Sequence, residues 1–439
     1  MKIACIGNMN NIIAPAAQYL SDLGHEVKLF LLHEYDHFTP LADYNRKEDI
    51  KFEIVKLDVN SNGVMNIPKS TLKNKLSAFD FYIGTDYAPA ILARINLRLD
   101  MFAWAGTDLF EWPFYSSKYI IPQQWECENI MTAKLQFQGI KNCRCLPMSL
   151  NNEYIVNAIS RFGFKGKIIN PLPMLYYPNL GKVEIEDSAH VKRATEIAKN
   201  SDVLLVQQSR QWWKTAPAHI SKGNDTFFVG VAKYVKANPQ TKVALVLFEY
   251  GADVDNSKKL IENLGLKDLV HWMPKMLRKE LLGILSKADI GVGQFGSESW
   301  YLYCSNAEII ASGILYMGYR DDDYYLSKSC DLYPMLNANS SEEISKCIDE
   351  VVSKTDSAEQ KSMRAKKWLI KYNETDFLNN VKKELHINYS RHLPFRARIK
   401  LALIKAKMGL IGLLNTLVLG SKSDRLKRLL LEWSKVKSI

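Results

Sequence analysis

Through its first 170 residues the chain alternates short, almost wholly apolar runs with longer segments whose apolar positions recur at helical spacing. Residues 2–6 read as a buried strand, followed by the loop Gly7-Asn8-Met9-Asn10-Asn11. A helix is expected to begin near Pro15, a residue suited to a first helical position, and to stop at Gly24. The next strand is read at 26–32, and further strands at 52–57, 79–84, 101–105 and 143–148. Around 168–179 the pattern breaks into Ile-Asn-Pro-Leu-Pro-Met-Leu-Tyr-Tyr-Pro-Asn, a stiff extended stretch that suits a domain boundary. The alternation then restarts, with strands at 203–207, 242–248, 269–273, 289–293 and 314–318. Helices are expected near 224–237, 256–264, 277–287 and 305–312, and from about 341 the chain is helical. Strands alternating with helices imply parallel sheets covered on both faces. The expected fold is therefore α/β, with two doubly wound parallel-sheet domains facing each other across a cleft and a helical basic tail. The domain bounds are expected at 1–172, 173–372 and 373–439. In open parallel sheets, ligands bind beyond the carboxyl ends of the strands, so the site is expected in that cleft.

The composition is that of a folded protein, 47% hydrophobic and 24% charged, which excludes a mainly disordered chain or a small disulfide scaffold. Its net charge of +11 is concentrated at one end. Residues 386–439 carry 12 Lys and Arg against only Asp424 and Glu432, so the preceding 385 residues are nearly neutral. The seven cysteines include no CxxC pair and sit scattered in apolar runs, as reduced, buried thiols would. No Cys/His spacing suits zinc. The start of the sequence reads as a strand rather than a signal peptide, and the apolar run 408–419 is too short to span a bilayer. A cytoplasmic chain is expected.

Neither GxGxxG nor GxxxxGK[ST] is present, which disfavours a plain dehydrogenase or a P-loop ATPase. Arg210 follows the strand 203–207, and Lys222-Gly223 stands just before a helix. These cations either sit on a loop surface or clamp a diphosphate without metal. Ser305-Asn306-Ala307-Glu308 opens another helix, where Glu308 either closes a capping box with Ser305 or accepts the two hydroxyls of a ribose. Asp321-Asp322-Asp323 reads as a solvated turn rather than a metal site, and His271 as a packed residue.

In order along 210–318 stand Arg210, Lys222-Gly223-Asn224-Asp225, Leu264-Gly265-Leu266, Leu281 to Leu285, Ala288-Asp289 and the Glu308 to Gly313 segment. This series resembles the donor half of GT-B glycosyltransferases, specifically the large retaining family four (glycosyl transferases group 1). The resemblance implies two facing Rossmann-like domains, the first on the acceptor side and the second binding a nucleotide-sugar donor, with no cofactor and no metal. It implies that Arg210 and Lys222 bind the donor diphosphate and act in catalysis, and that Gly223, Ser305, Asn306 and Glu308 complete the donor site. By the same resemblance, Gly7 and Asn8 lie near the donor phosphates. Trp104-Ala105-Gly106-Thr107-Asp108 resembles the loop opposite the donor sugar, so Asp108 would contact donor or acceptor hydroxyls and count among the catalytic residues; by spacing alone it is a plain turn. The family pairs two glutamates eight positions apart. Here Trp300 stands eight before Glu308, and Glu298, ten before it, is the substitute.

In the tail, Leu426, Leu429, Leu430, Trp433 and Val436 form a helical stripe opposite Lys427, Arg428 and Lys435. Together with the basic residues upstream, this is the pattern of a helix lying on an anionic membrane. Docking on the protein's own body is the alternative, and nucleic acid is disfavoured because aromatics are few there. The expected protein is a peripheral enzyme of the cytoplasmic membrane face. It moves a sugar from a uridine diphosphate carrier to a glycan or lipid-linked acceptor, with residues 391–437 on the membrane. Its rivals are a nucleotide-sugar epimerase of the same architecture and a non-catalytic subunit that binds glycan or a partner enzyme.

Overall fold

The structure, a computed structural model, describes residues 1–419 apart from 33–38, 41–46, 58, 60–63, 117–123, 148–152, 170–171, 180–187, 297–301, 303, 354–356 and 387–389. Two parallel sheets organise it. The first comprises β1 (Lys2–Ile6), β2 (Glu26–Leu31), β3 (Glu53–Lys56), β4 (Phe81–Gly84), β5 (Met101–Phe102), β6 (Cys145–Pro147) and β7 (Lys167–Ile169), in the spatial order β3-β2-β1-β4-β5-β6-β7. The second comprises β8 (Val203–Gln207), β9 (Val243–Phe248), β10 (Val270–Met273), β11 (Ile290–Val292), β12 (Leu315–Gly318) and β13 (Leu336–Asn337), ordered β10-β9-β8-β11-β12-β13. The strands are apolar without alternation because helices cover both faces. In β1, Ile3 and Cys5 enter one core while Ala4 and Ile6 enter the other. In β8, Leu204 and Val206 divide in the same way from Val203 and Leu205. Each sheet reverses its strand order once, between β1 and β4 and between β8 and β11, which creates two crevices at the carboxyl edges.

The stretch read as a stiff linker is not a solvated tether. Leu172, Leu175, Tyr176 and Tyr177 are buried in an apolar cluster that also holds Tyr19, Ile284 and Phe377. Tyr177 donates its backbone N–H to the Tyr19 hydroxyl and its own hydroxyl to Asn373, while Tyr176 reaches Asp22. Aromatic rings beside prolines supply the buried area that such a segment would otherwise lack.

After the helix Ser357–Ile370 the chain returns to the first sheet. Glu384, in the helix Asp376–Leu385, pairs with Arg144 at 2.9 Å and Lys167 at 2.7 Å, and Arg144 also holds Asp100 at 2.9 Å. Residues 391–393 then pair with 96–98, and the helix Phe395–Leu419 lays Ala397 and Leu401 on the first domain's core. The strands β7 and β13 were not expected, and β5 is shorter than its apolar run. Three- and two-residue strands leave no periodicity to read.

Candidate functional site

The crevice between β8 and β11 is lined by the loops that leave the carboxyl ends of those strands. At the end of β8 and just beyond it stand the buried Gln207, Gln208, Ser209 and Gln211, with Arg210 exposed among them and stacked over the Trp212 ring at 4.9 Å. This loop is fixed from beneath. Asp253, wholly buried, accepts the backbone N–H groups of Trp213, Lys214 and Thr215 at 2.8 to 3.0 Å. Gly251 permits the approach, since a Cβ there would meet the Gln211 carbonyl oxygen at 2.3 Å.

Lys222 sits on the other side of the crevice, 9% exposed, with its Nζ 3.0 Å from Gln294 Oε1 beyond β11. Burial, followed by the nearby Arg210 guanidinium, lowers its pKa to about 8. Keeping the buried Lys222 ammonium charged near the Arg210 guanidinium costs the empty protein energy, and an anion between them removes that cost. Gly223 follows in the left-handed region at φ +61 and begins the helix Asn224–Ala237, whose unpaired N–H groups open toward the same edge. A Cβ on Gly223 would lie 2.6 Å from the Phe295 carbonyl carbon, so only glycine fits. Asn224 accepts from the Trp212 N–H and donates to Gln207, joining the two walls.

Glu308 lies in the helix Cys304–Ala311, and its carboxylate faces out of that helix. Oε1 accepts from Arg278 Nε at 2.8 Å and Oε2 from Gln208 Nε2 at 3.1 Å. Ser305 stands inside the helix rather than before it; its carbonyl accepts from Gln208 and its hydroxyl turns to Asn306, so Glu308 serves the crevice rather than a capping box. Asn306 is buried and bonds Tyr333 in the core. Tyr250 lies between the halves of the site, donating its hydroxyl to the Gln208 carbonyl. Burial and Glu308 push it up to about 12, against the pull of Arg210. The guanidinium of Arg278 also joins the two sheets, donating to the carbonyl oxygens of Met174 at 3.1 Å and Asn10 at 2.9 Å.

Asn10 belongs to the loop after β1, where Gly7 has φ +78 and Asn10 and Asn11 are also left-handed. A Cβ on Gly7 would meet Thr85 at 3.0 Å. Asn8 is buried; it accepts from the Ala14 N–H and donates to Asn11, so its side chain shapes the loop. Asp108 is also turned inward. Its oxygens accept the N–H groups of Asp86, Ala105 and Gly106, closing the loops after β4 and β5 on each other. Burial raises its carboxyl to about 7 against the pull of those amides.

The structure thus brings Arg210, Lys222, Gly223, Ser305 and Glu308 to one edge and sets the Gly7–Asn8 loop against it through Arg278. Glu298 and Trp300 lie outside the described residues. Arg278, Gln208 and Gln294 were not found from the sequence. Arg278 opens a charged helix, and its partners are too distant in the chain to signal a role. Asp321 caps its own helix through Tyr324, and Asp322 pairs with Arg320.

Two doubly wound parallel sheets with facing carboxyl edges, and a chain that crosses back at its end, are the GT-B fold. HepE of Anabaena, solved in complex with UDP, matches with a TM-score of 0.57 at 13% identity, over 88% of this chain and 99% of HepE. A glycosyltransferase from Rickettsia africae matches at 0.56 with 15% identity, over 88% and 99% of the two chains. A putative UDP-N-acetylglucosamine 2-epimerase from Listeria monocytogenes matches at 0.52 with 14% identity, over 90% and 99%. No protein-family model matches the sequence, and no curated protein matches it.

Proposed function

We propose that the protein transfers a sugar from a uridine diphosphate carrier to a glycan or lipid-linked acceptor at the cytoplasmic face of a membrane, in the assembly of cell-surface polysaccharide or glycoconjugate. The observation that carries this reading is the pairing of Arg210 with a buried Lys222 at the switch point of the second sheet, beside a helix N-terminus. When the bond from the sugar's anomeric carbon to the diphosphate oxygen breaks, negative charge grows on the diphosphate. In this reading the two cations and the helix N–H groups receive that charge. They take the part a metal ion would otherwise play, so activity in the presence of a chelator is expected. Glu308, oriented by Arg278 and Gln208, retains lone pairs for the ribose hydroxyls. Gly7 and Asn8 shape the loop facing the phosphates, and Asp108 holds the acceptor-side loop rather than reacting itself. Retention of anomeric configuration is part of the proposal through the family resemblance, and residues 391–437 supply the membrane contact.

The test is thermal melting with UDP, GDP, CMP and ADP. A nucleotide at about 100 times its Kd adds ~2.7 kcal/mol, a rise of several degrees. Stabilisation by UDP supports the donor reading; stabilisation by none of the four refutes it. The epimerase likeness supports a second reading on the same site. Conversion of a UDP-sugar to its epimer without acceptor would replace transfer by epimerisation.

A further inference from the structure

The helix Phe395–Leu419 contains no acidic residue and shows two apolar faces in its described part. One carries Ala397, Leu401, Ile404 and Met408 and packs on the first domain. The other carries Phe395 (67% exposed), Ile399 (44%), Leu403 (66%) and Leu410 (43%). At 3.6 residues per turn this second stripe lies roughly opposite the first, so the domain cannot cover it. Arg396, Lys400 and Lys407 run along one side of the stripe, and Arg398 and Lys405 along the other.

The basic flanks continue onto the body of the first domain. Lys69 is held below its ordinary value by partial burial and then by Lys73, Lys405 and Arg94, which places cations from three elements together on one side. On the other side, Lys134 is lowered by burial and by Lys400. Among the described residues, no ion pair is formed by Lys69, Lys73, Arg396, Arg398, Lys400, Lys405 or Lys407. An apolar strip fringed with cations complements a surface whose anions stand above hydrocarbon. A second copy would bring the same cations against these, and nucleic acid would gain nothing from the exposed leucines.

We propose that the 395–410 face is a docking surface for anionic phospholipid bilayers: Phe395, Ile399, Leu403 and Leu410 enter the interface, and the flanking lysines and arginines meet the phosphates. This rests on the membrane part of the preceding reading and is independent of the donor site. Because the helix is packed on the first domain, it also sets which face of that domain meets the bilayer.

The experiment is co-sedimentation of the full chain with vesicles of phosphatidylcholine, with and without phosphatidylserine. It compares wild type with I399Q/L403Q, K400E/K405E and the tail variant L429Q/W433Q. Wild type should bind only the anionic vesicles, and each of the first two variants should bind about tenfold more weakly or worse. I399Q/L403Q should melt with wild type and K400E/K405E no lower, and both should bind UDP unchanged, since these side chains are exposed and lie outside the crevice. Equal binding by wild type and I399Q/L403Q, with loss only in L429Q/W433Q, overturns the assignment of the surface while leaving membrane association in place. No binding by wild type overturns both. A wild-type dimer that becomes monomeric in I399Q/L403Q, without vesicle binding by either, makes this face a self-association surface and also overturns the proposal.

Discussion

Replacing Lys222 by methionine should stabilise the empty protein and disable the donor site. The wild-type ammonium is lowered from 10.5 to about 8 by burial and by Arg210, which corresponds to ~3 kcal/mol of unfavourable free energy at neutral pH. Methionine fills the same space without charge. It forfeits the contact with the half-buried Gln294, worth about 1 kcal/mol. The net gain of ~2 kcal/mol corresponds to a rise in Tm of roughly 4–8 °C for a domain of this size. In the opposite direction, loss of one charge-assisted hydrogen bond to a phosphate costs ~1.5–3 kcal/mol, weakening UDP about 10- to 150-fold.

The pH dependence has a definite sign. A lysine whose folded pKa is depressed imposes its full cost below about 8, and the cost fades toward 10.5, where the unfolded chain also loses the proton. The stabilising effect of Lys222→Met should therefore shrink across that window. UDP binding to wild type should take up a proton near pH 8, detectable by titration calorimetry in buffers of different ionisation enthalpy. A methionine variant that melts below wild type and binds UDP equally well would refute the reasoning, because Lys222 would then serve the fold rather than an anion.

Three further outcomes are expected. Gly223→Ala should lower stability by ~1–3 kcal/mol in a denaturant titration and weaken UDP, because φ is +61 and the added Cβ meets Phe295. Glu384→Gln should cost about 3 kcal/mol by leaving the buried Arg144 short of charge. Burial raises Glu384, but Lys167 and Arg144 together bring it below 4.5, so the wild-type advantage should be full above 4.5 and disappear on acidification. Asp108→Asn turns a donor toward the amides of Asp86, Ala105 or Gly106 and should cost ~1–3 kcal/mol. Because burial holds Asp108 at about 7, its raised carboxyl favours folding below 3.8 and loses that contribution through 7. The melting gap to the asparagine variant should therefore narrow from about pH 4 to about pH 7.

Much of the architecture was legible because buried parallel strands carry unbroken apolar runs. Val203–Gln207 coincides with its expected bounds, as does the helix Asn224–Ala237, and most other elements shift by one or two residues. Lys167–Ile169 and Leu336–Asn337 were missed because pairing with a neighbouring strand, not local pattern, makes them strands. The cations of the crevice could be named from their order along the chain. What Glu308 faces could not, since Arg278 reaches it together with Asn10 and Met174, groups brought near only by the completed fold. Asn8, Asn306 and Asp108 were placed beside ligands by motif, yet their side chains turn inward to backbone or core. Motifs locate a loop, while the hydrogen-bonding needs of that loop decide where its polar side chains point.

The return of the chain to its first sheet sets an order of events at the ribosome. Strands β1 to β7 are synthesised early, but Glu384, the partner of Arg144, and Leu393, Ala397 and Leu401, which cover part of the first core, emerge more than 200 residues later. The second sheet and its helices lie between and can close locally as they appear. The half made first is therefore the half finished last. Until then it waits with the Arg144 guanidinium missing its Glu384 carboxylate and with apolar surface uncovered, the kind of surface through which partly folded chains aggregate.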